Sequence, residues 1–140
     1  YYKIVFPIHP RTEKNIKIYN LNSDLKNIKI INPGPLGYFE FQNLLKNCAL
    51  ILTDSGGIQE EAPSFSVPVL VMRDSTERPE AIESGHAKLV GACRESILEE
   101  GRNLLKKGRQ SSNALSSANP FGDGNASERI KEILLDFFDE

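Results

Sequence analysis

The amino-acid sequence predicts an α/β fold, a doubly wound parallel sheet, and three features of its 140 residues carry that prediction. Short runs rich in Val, Ile and Leu alternate with stretches of helical spacing from Tyr2 to Lys106. Two of those runs end in polar turns that open directly into helix-like segments. Strands separated by helices in this rhythm form parallel βαβ units, because a parallel neighbour is reached only through a crossover.

Taken in order, Tyr2 to Ile8 reads as the first strand, closed by His9-Pro10. Thr12 to Leu21 has helical spacing, and Asn27 to Ile31 is the second strand. Phe39 to Asn47 is a helix with Phe41, Leu44 and Leu45 on one face. Leu50 to Thr53 is the third strand, and Ile58 to Phe65 the helix after it. Val67 to Met72 is the fourth strand, Arg78 to Glu83 a helix, Lys88 to Val90 a short fifth strand and Glu95 to Lys106 a longer helix. This is the Rossmann-like pattern. Lys107 to Asn119 is then rich in Ser, Asn and Gly, and Asn119-Pro120-Phe121-Gly122-Asp123-Gly124 is a dense turn signal. A last helix follows, with Asn125 and Glu128 at capping-box spacing. Its apolar residues Ile130, Ile133, Leu134, Phe137 and Phe138 recur at i, i+3, i+4, i+7 and i+8 and need a partner surface. Either the chain's own sheet or a domain outside these residues can supply it.

Composition narrows the function. With 39% apolar and 26% charged residues the chain has the make-up of a globular domain, and residues 1–140 are read as one domain. A net charge of −2 without a basic run argues against nucleic-acid binding. No apolar run approaches the roughly 18 residues that cross a membrane, and no secretory leader is legible. Cys48 and Cys93 match no metal or redox spacing and are read as reduced, half-buried core residues, which points to a cytoplasmic protein.

Chemistry concentrates where strands end. Leu50-Ile51-Leu52-Thr53-Asp54-Ser55-Gly56-Gly57-Ile58 is an apolar strand, a two-glycine turn and a helix start. Open parallel sheets bind ligands at the carboxyl ends of their strands. There a helix start offers unpaired N–H groups to a phosphate, glycine lets the backbone come close, and Ser55 adds a hydroxyl. The same turn can also be mere loop geometry. Glu61, four residues beyond Gly57, shares a helix face with it and can accept ribose hydroxyls; alternatively Glu60 and Glu61 form a solvated face. After the next strand, Arg73 and Arg78 suit a diphosphate, with ion pairs to Asp74, Glu77 or Glu80 as the plainer reading; Ser75 or Thr76 can cap the helix that Pro79 helps start. His9, leaving the first strand beside Arg11, is either a proton-transfer group with an anion holder or a structural histidine.

The run Leu52 to Ser64, then Pro68-Val69-Leu70-Val71-Met72-Arg73 and Thr76-Glu77-Arg78-Pro79-Glu80-Ala81, resembles the signature of the non-hydrolysing UDP-N-acetylglucosamine 2-epimerases, as does Asn119 to Gly124. The resemblance implies the C-terminal, UDP-binding half of a two-domain enzyme of GT-B type. Such enzymes eliminate UDP from UDP-N-acetylglucosamine and add it back with C2 inverted, giving UDP-N-acetylmannosamine for polysaccharide biosynthesis. It further implies a homodimeric parent with no cofactor and no metal. By motif position Ser55, Gly56 and Gly57 hold the diphosphate, Glu61 the ribose, Arg78 the diphosphate region and Phe41 the uracil. The family often carries Gln where Leu36 stands, so a contact there comes from the Leu36 backbone. His9-Pro10-Arg11-Thr12 occupies the place of a functional His-Arg-x-Glu-like loop and departs from its commoner wording. The N-terminal Gly-Thr-Arg-Pro-Glu loop and acidic catalytic residues of the family have no counterpart, so this chain alone is expected to bind UDP without catalysing. Two rival readings are the nucleotide-sugar half of a GT-B glycosyltransferase or hydrolysing epimerase, and a non-catalytic UDP-sugar-binding module.

Overall fold

A computed structural model describes residues 2–26, 28–108 and 119–139. The chain divides into two compact units, Tyr1–Asn43 and Leu44–Glu140.

In the first unit β1 (Ile4–Val5) pairs in parallel with β2 (Ile30–Ile31), Ile4 opposite Ile30 and Val5 opposite Ile31. The ladder is shorter than the run Tyr2 to Ile8 suggests. One more bond joins the Phe6 N–H to the Ile31 carbonyl; the next would run from residue 33 to the Phe6 carbonyl, and Pro33 has no N–H to make it. Helix α1 (Pro10–Ile18) starts two residues before the expected Thr12, because Pro10 takes a first-turn position where its missing N–H costs nothing and His9 caps the helix. Tyr19 caps the other end and Asn20 turns into the left-handed region (φ 55°), so the helix stops before Leu21. A further short helix, α2 (Asn22–Lys26), lies in a stretch for which no element is expected.

Helix α3 (Tyr38–Asn47) matches its expected span, with Leu45 buried and Phe41 and Leu44 half-buried as the spacing requires. In the second unit β3 (Ile51–Thr53), β4 (Val69–Val71) and β5 (Ala87–Leu89) form a parallel sheet in that order. Ile51 stands opposite Val69 and Thr53 opposite Val71, while Val69 stands opposite Ala87. The central strand is buried throughout: Val69, Leu70 and Val71 are each at most 1% exposed, as expected for a parallel strand covered on both faces. Each such side chain contributes about 1.5–3 kcal/mol of burial. Between the strands run α4 (Gly56–Glu61) with a 3₁₀ turn (Ala62–Phe65), and α5 (Pro79–Glu83). Helix α6 (Arg94–Lys107) lies close against the core at Gly101, where an added Cβ would come within 3.7 Å of Leu50 and 3.9 Å of Leu70.

Two expectations are corrected here. Helix α7 (Ala126–Asp139) forms as its periodicity predicts, but its stripe does not pack on the chain's own sheet: Ile130, Ile133, Leu134, Phe137 and Phe138 are 49–77% exposed. Cys93 is not a core residue; it is exposed at the amino end of α6, whereas Cys48 is half-buried and donates its thiol to the Leu44 carbonyl. The Ser- and Asn-rich stretch expected between Lys107 and Asn119 lies, from 109 to 118, outside the described residues.

Candidate functional site

In a parallel sheet adjacent strands release their chains at the same edge. The Thr53–Val71 register, extended by a bond from the Met72 N–H to the Thr53 carbonyl, therefore sets the turn after β3 beside the loop after β4. Those segments carry Ser55-Gly56-Gly57 and Arg78.

Ser55 is the N-cap residue of α4, in extended conformation (φ −82°, ψ 131°), and its hydroxyl makes no capping bond. Its backbone is held at both ends. The N–H donates to Thr53 Oγ1 (3.0 Å), and the carbonyl accepts from Gln59 Nε2 (3.1 Å). Neither Gly56 nor Gly57 has a positive φ. A Cβ at Gly57 would meet nothing nearer than Ser55 Oγ at 3.9 Å, and one at Gly56 would lie in ordinary contact with Arg78, 3.6 Å from Nη2. The fold thus has no backbone or packing need for glycine at either position, although alanine favours a helix by about 1 kcal/mol over glycine. Loop geometry alone does not account for the pair. Since α4 has six residues, its dipole is a small part of any anion attraction, and the guanidinium beside Gly56 is the stronger positive group.

Arg78 reaches that place from the residue before Pro79, the first residue of α5. Its Nε donates to Glu60 Oε1, its Nη1 to the Glu77 carbonyl at 3.2 Å, and its Nη2 faces Gly56. The hydrogen bond to the Glu60 carboxylate raises the guanidinium pKa further above its ordinary value, so Arg78 is a permanent cation. Ion pairs do form in this loop, though the main partner of Arg78 is Glu60 and not one of the carboxylates nearest in sequence. Glu60 is thus half-exposed and held by an ion pair to Arg78. Arg73 has a looser contact, 3.9 Å from Glu77. Thr76 does not cap α5; its hydroxyl accepts the Arg78 N–H at 3.1 Å. Glu61, half-buried, closes α4.

His9, Arg11, Leu36 and Phe41 fall in the first unit. His9 is exposed, and its Nδ1 accepts the Arg11 N–H at 3.2 Å, which assigns it a capping task. Arg11 is exposed in the first turn of α1. Leu36 is half-buried in the loop that leads to α3, and Phe41 half-buried on that helix. Among the described residues, one cavity of about 450 Å³ is lined by Lys46, Asn47, Ser64, Phe65 and Ser66 and another of about 210 Å³ includes Phe6, Ile8 and Asn32. Neither includes a candidate residue, and Ser55, Gly56 and Arg78 are each half-buried. No group of three or more His, Cys, Asp and Glu among the described residues is placed to hold a metal, and none of the described helices is long and apolar enough to cross a membrane.

Residues 1–135 match the family model described as UDP-N-acetylglucosamine 2-epimerase. The chain belongs to that family. A UDP-N-acetylglucosamine 2-epimerase of Campylobacter jejuni is 48% identical over 134 residues, which is 94% of this chain and 34% of that protein. The structure of the Methanocaldococcus jannaschii UDP-GlcNAc 2-epimerase in complex with UDP-GlcNAc and UDP superposes with a TM-score of 0.81 at 47% identity, covering 95% of this chain and 35% of its own. A Neisseria meningitidis UDP-GlcNAc 2-epimerase bound to UDP-GlcNAc also gives 0.81, at 39% identity, covering 96% of this chain and 36% of its own. The chain therefore spans about a third of the length of the epimerases it matches. The α/β fold with parallel sheets is theirs as well, a GT-B-type architecture.

Sequence reasoning did not single out Gln59, took Thr76 as a candidate cap of α5 and did not pair Glu60 with Arg78. One signal was present. Gln59, Ala62 and Pro63 stand at i, i+3 and i+4, and all three are buried, so the glutamine heads an inward face. A polar side chain in that position requires hydrogen-bond partners.

Proposed function

We propose that this chain is the UDP-binding part of an epimerase that interconverts UDP-N-acetylglucosamine and UDP-N-acetylmannosamine through elimination and re-addition of UDP. The observation that carries the reading is the glycine pair that the fold does not require, with the Arg78 guanidinium turned toward Gly56. A phosphate chain needs both a backbone it can approach and a cation. The family's named activity, and the UDP in the Methanocaldococcus jannaschii complex, support the choice of ligand.

In this reading Ser55, Gly56 and Gly57 receive the diphosphate through hydroxyl and backbone N–H groups. Arg78 balances the charge that gathers on the diphosphate as the C1–O bond breaks; preorganised positive groups lower the barrier for such a leaving group. Glu61 accepts the ribose hydroxyls, Phe41 packs on uracil and the Leu36 backbone borders the base. Elimination needs a base at C2 and an acid for the departing oxygen. His9 is the one proton-transfer group assigned in this chain, with Arg11 as an anion holder beside it. The remaining groups are assigned to an N-terminal catalytic domain of the parent, read as a cytoplasmic homodimer that serves polysaccharide biosynthesis.

Calorimetric titration with UDP tests the reading. The folded chain binds UDP, and Arg78→Ala weakens binding by about tenfold or more, the scale of a lost charge-assisted contact. No heat of UDP binding from a demonstrably folded chain would overturn it.

A further inference from the structure

We propose that Gln59 is a positioning residue whose buried carboxamide holds the Ser55 turn and the Arg78 loop at one fixed spacing. The proposal deepens the UDP-binding reading and rests on it for the identity of the ligand.

Gln59 is 0% exposed, and both ends of its amide are engaged. Nε2 donates to the Ser55 carbonyl (3.1 Å), while Oε1 accepts from Thr76 Oγ1 (2.7 Å). Thr76 Oγ1 in turn accepts the Arg78 N–H (3.1 Å). A continuous path of hydrogen bonds thus joins the backbone of Ser55 to the backbone of Arg78, across segments that the β3–β4 register sets side by side. The next residue, Glu60, grips the Arg78 side chain at Nε. Consecutive residues of α4 therefore fix Arg78 at its backbone and at its guanidinium, leaving Nη2 turned toward Gly56.

Glutamine suits this task because it is a donor at one end and an acceptor at the other, with no charge to bury. A glutamate would set a carboxylate oxygen against the Ser55 carbonyl. A methionine of similar length would remove the bonds to both the Ser55 carbonyl and the Thr76 hydroxyl while placing a side chain that cannot replace them in a fully buried position. Diphosphate recognition is sensitive to spacing, since the turn and the guanidinium must reach the same group of oxygens. Uridine has no phosphate and does not sense that spacing.

Gln59→Met, Thr76→Val and Thr76→Ser are compared with wild type in two readouts, amide hydrogen exchange at Arg78 and affinity for UDP and for uridine by NMR titration. Gln59→Met and Thr76→Val are expected to speed exchange of the Arg78 N–H and to weaken UDP about tenfold, with uridine changed less than about twofold. Thr76→Ser, which keeps the hydroxyl, restores both. Equal losses for UDP and uridine, wild-type exchange at Arg78 in Gln59→Met, or wild-type exchange and UDP affinity in Thr76→Val would overturn the proposal, and the threonine arm keeps it refutable even where Gln59→Met does not fold. The exchange arm needs no ligand: a wild-type chain that ignores UDP counts against the UDP reading alone, while Arg78 exchange still reports whether Gln59 holds the loop.

Discussion

Gly57 offers a perturbation whose effects on fold and on ligand have opposite signs. It is exposed in the first turn of α4, its φ lies outside the left-handed region, and an added Cβ would find only Ser55 Oγ, at 3.9 Å. Gly57→Ala therefore introduces no clash and removes freedom from the unfolded chain, which stabilises the fold by about 0.4–1 kcal/mol. For a domain of this size that is a rise of roughly 1–3 °C in Tm. Valine loses about half of that gain through its β-branch, so Gly57→Val should be close to wild type in stability. The diphosphate is affected differently. A side chain at residue 57 stands where the phosphate must approach, and displacing one charged backbone contact costs about 1.5–3 kcal/mol, or roughly 10- to 150-fold in Kd. Valine should reach that range and alanine should fall between it and wild type. Scanning calorimetry gives the stability, and titration with UDP and UDP-N-acetylglucosamine gives the affinity. Variants that match wild type in binding both nucleotides would refute the close backbone approach. A lowered Tm for Gly57→Ala would refute the claim that the fold has no need of glycine there.

Two other outcomes are expected. Glu61→Ala should weaken UDP by about 1.5–3 kcal/mol and weaken a dideoxyribose analogue far less, because the hydroxyls it serves are then gone; equal, small losses in titrations against both would retire the ribose assignment. His86, 2% exposed at the amino end of β5 with Nδ1 3.0 Å from Ser84 Oγ, is pushed below its usual pKa by burial. The unfolded chain therefore binds a proton at higher pH than the folded one. The stability this neutral imidazole contributes is complete above about pH 6.5 and is lost as pH falls through that value toward the folded-state pKa. His86→Asn should flatten the fall in urea midpoint between about pH 7.5 and about pH 5.5, and an unchanged slope would show that another group governs that window.

Much of this protein can be read along the chain because periodicity and turn chemistry are local. Alternating runs located every strand, and the spacing of Phe41, Leu44 and Leu45 matches the burial of α3. The stripe from Ile130 to Phe138 produces a helix whose five periodic apolar residues are all exposed, but periodicity gives the face of a helix and not what covers it. Strand ends were less legible, since Pro33, which cannot donate to the Phe6 carbonyl, and not hydrophobicity decides where the first ladder stops. The sequence by itself determined the order of elements, the two polar turns at strand ends and the residue types in them. Only the tertiary structure decided that Arg78 belongs to Glu60 and Gly56, and that Gln59 spans from Ser55 to Thr76. Those partners lie 17 and 18 residues apart. Their meeting depends on the register in which β3 and β4 pair, and that register is set by packing of the whole sheet, which no local pattern encodes.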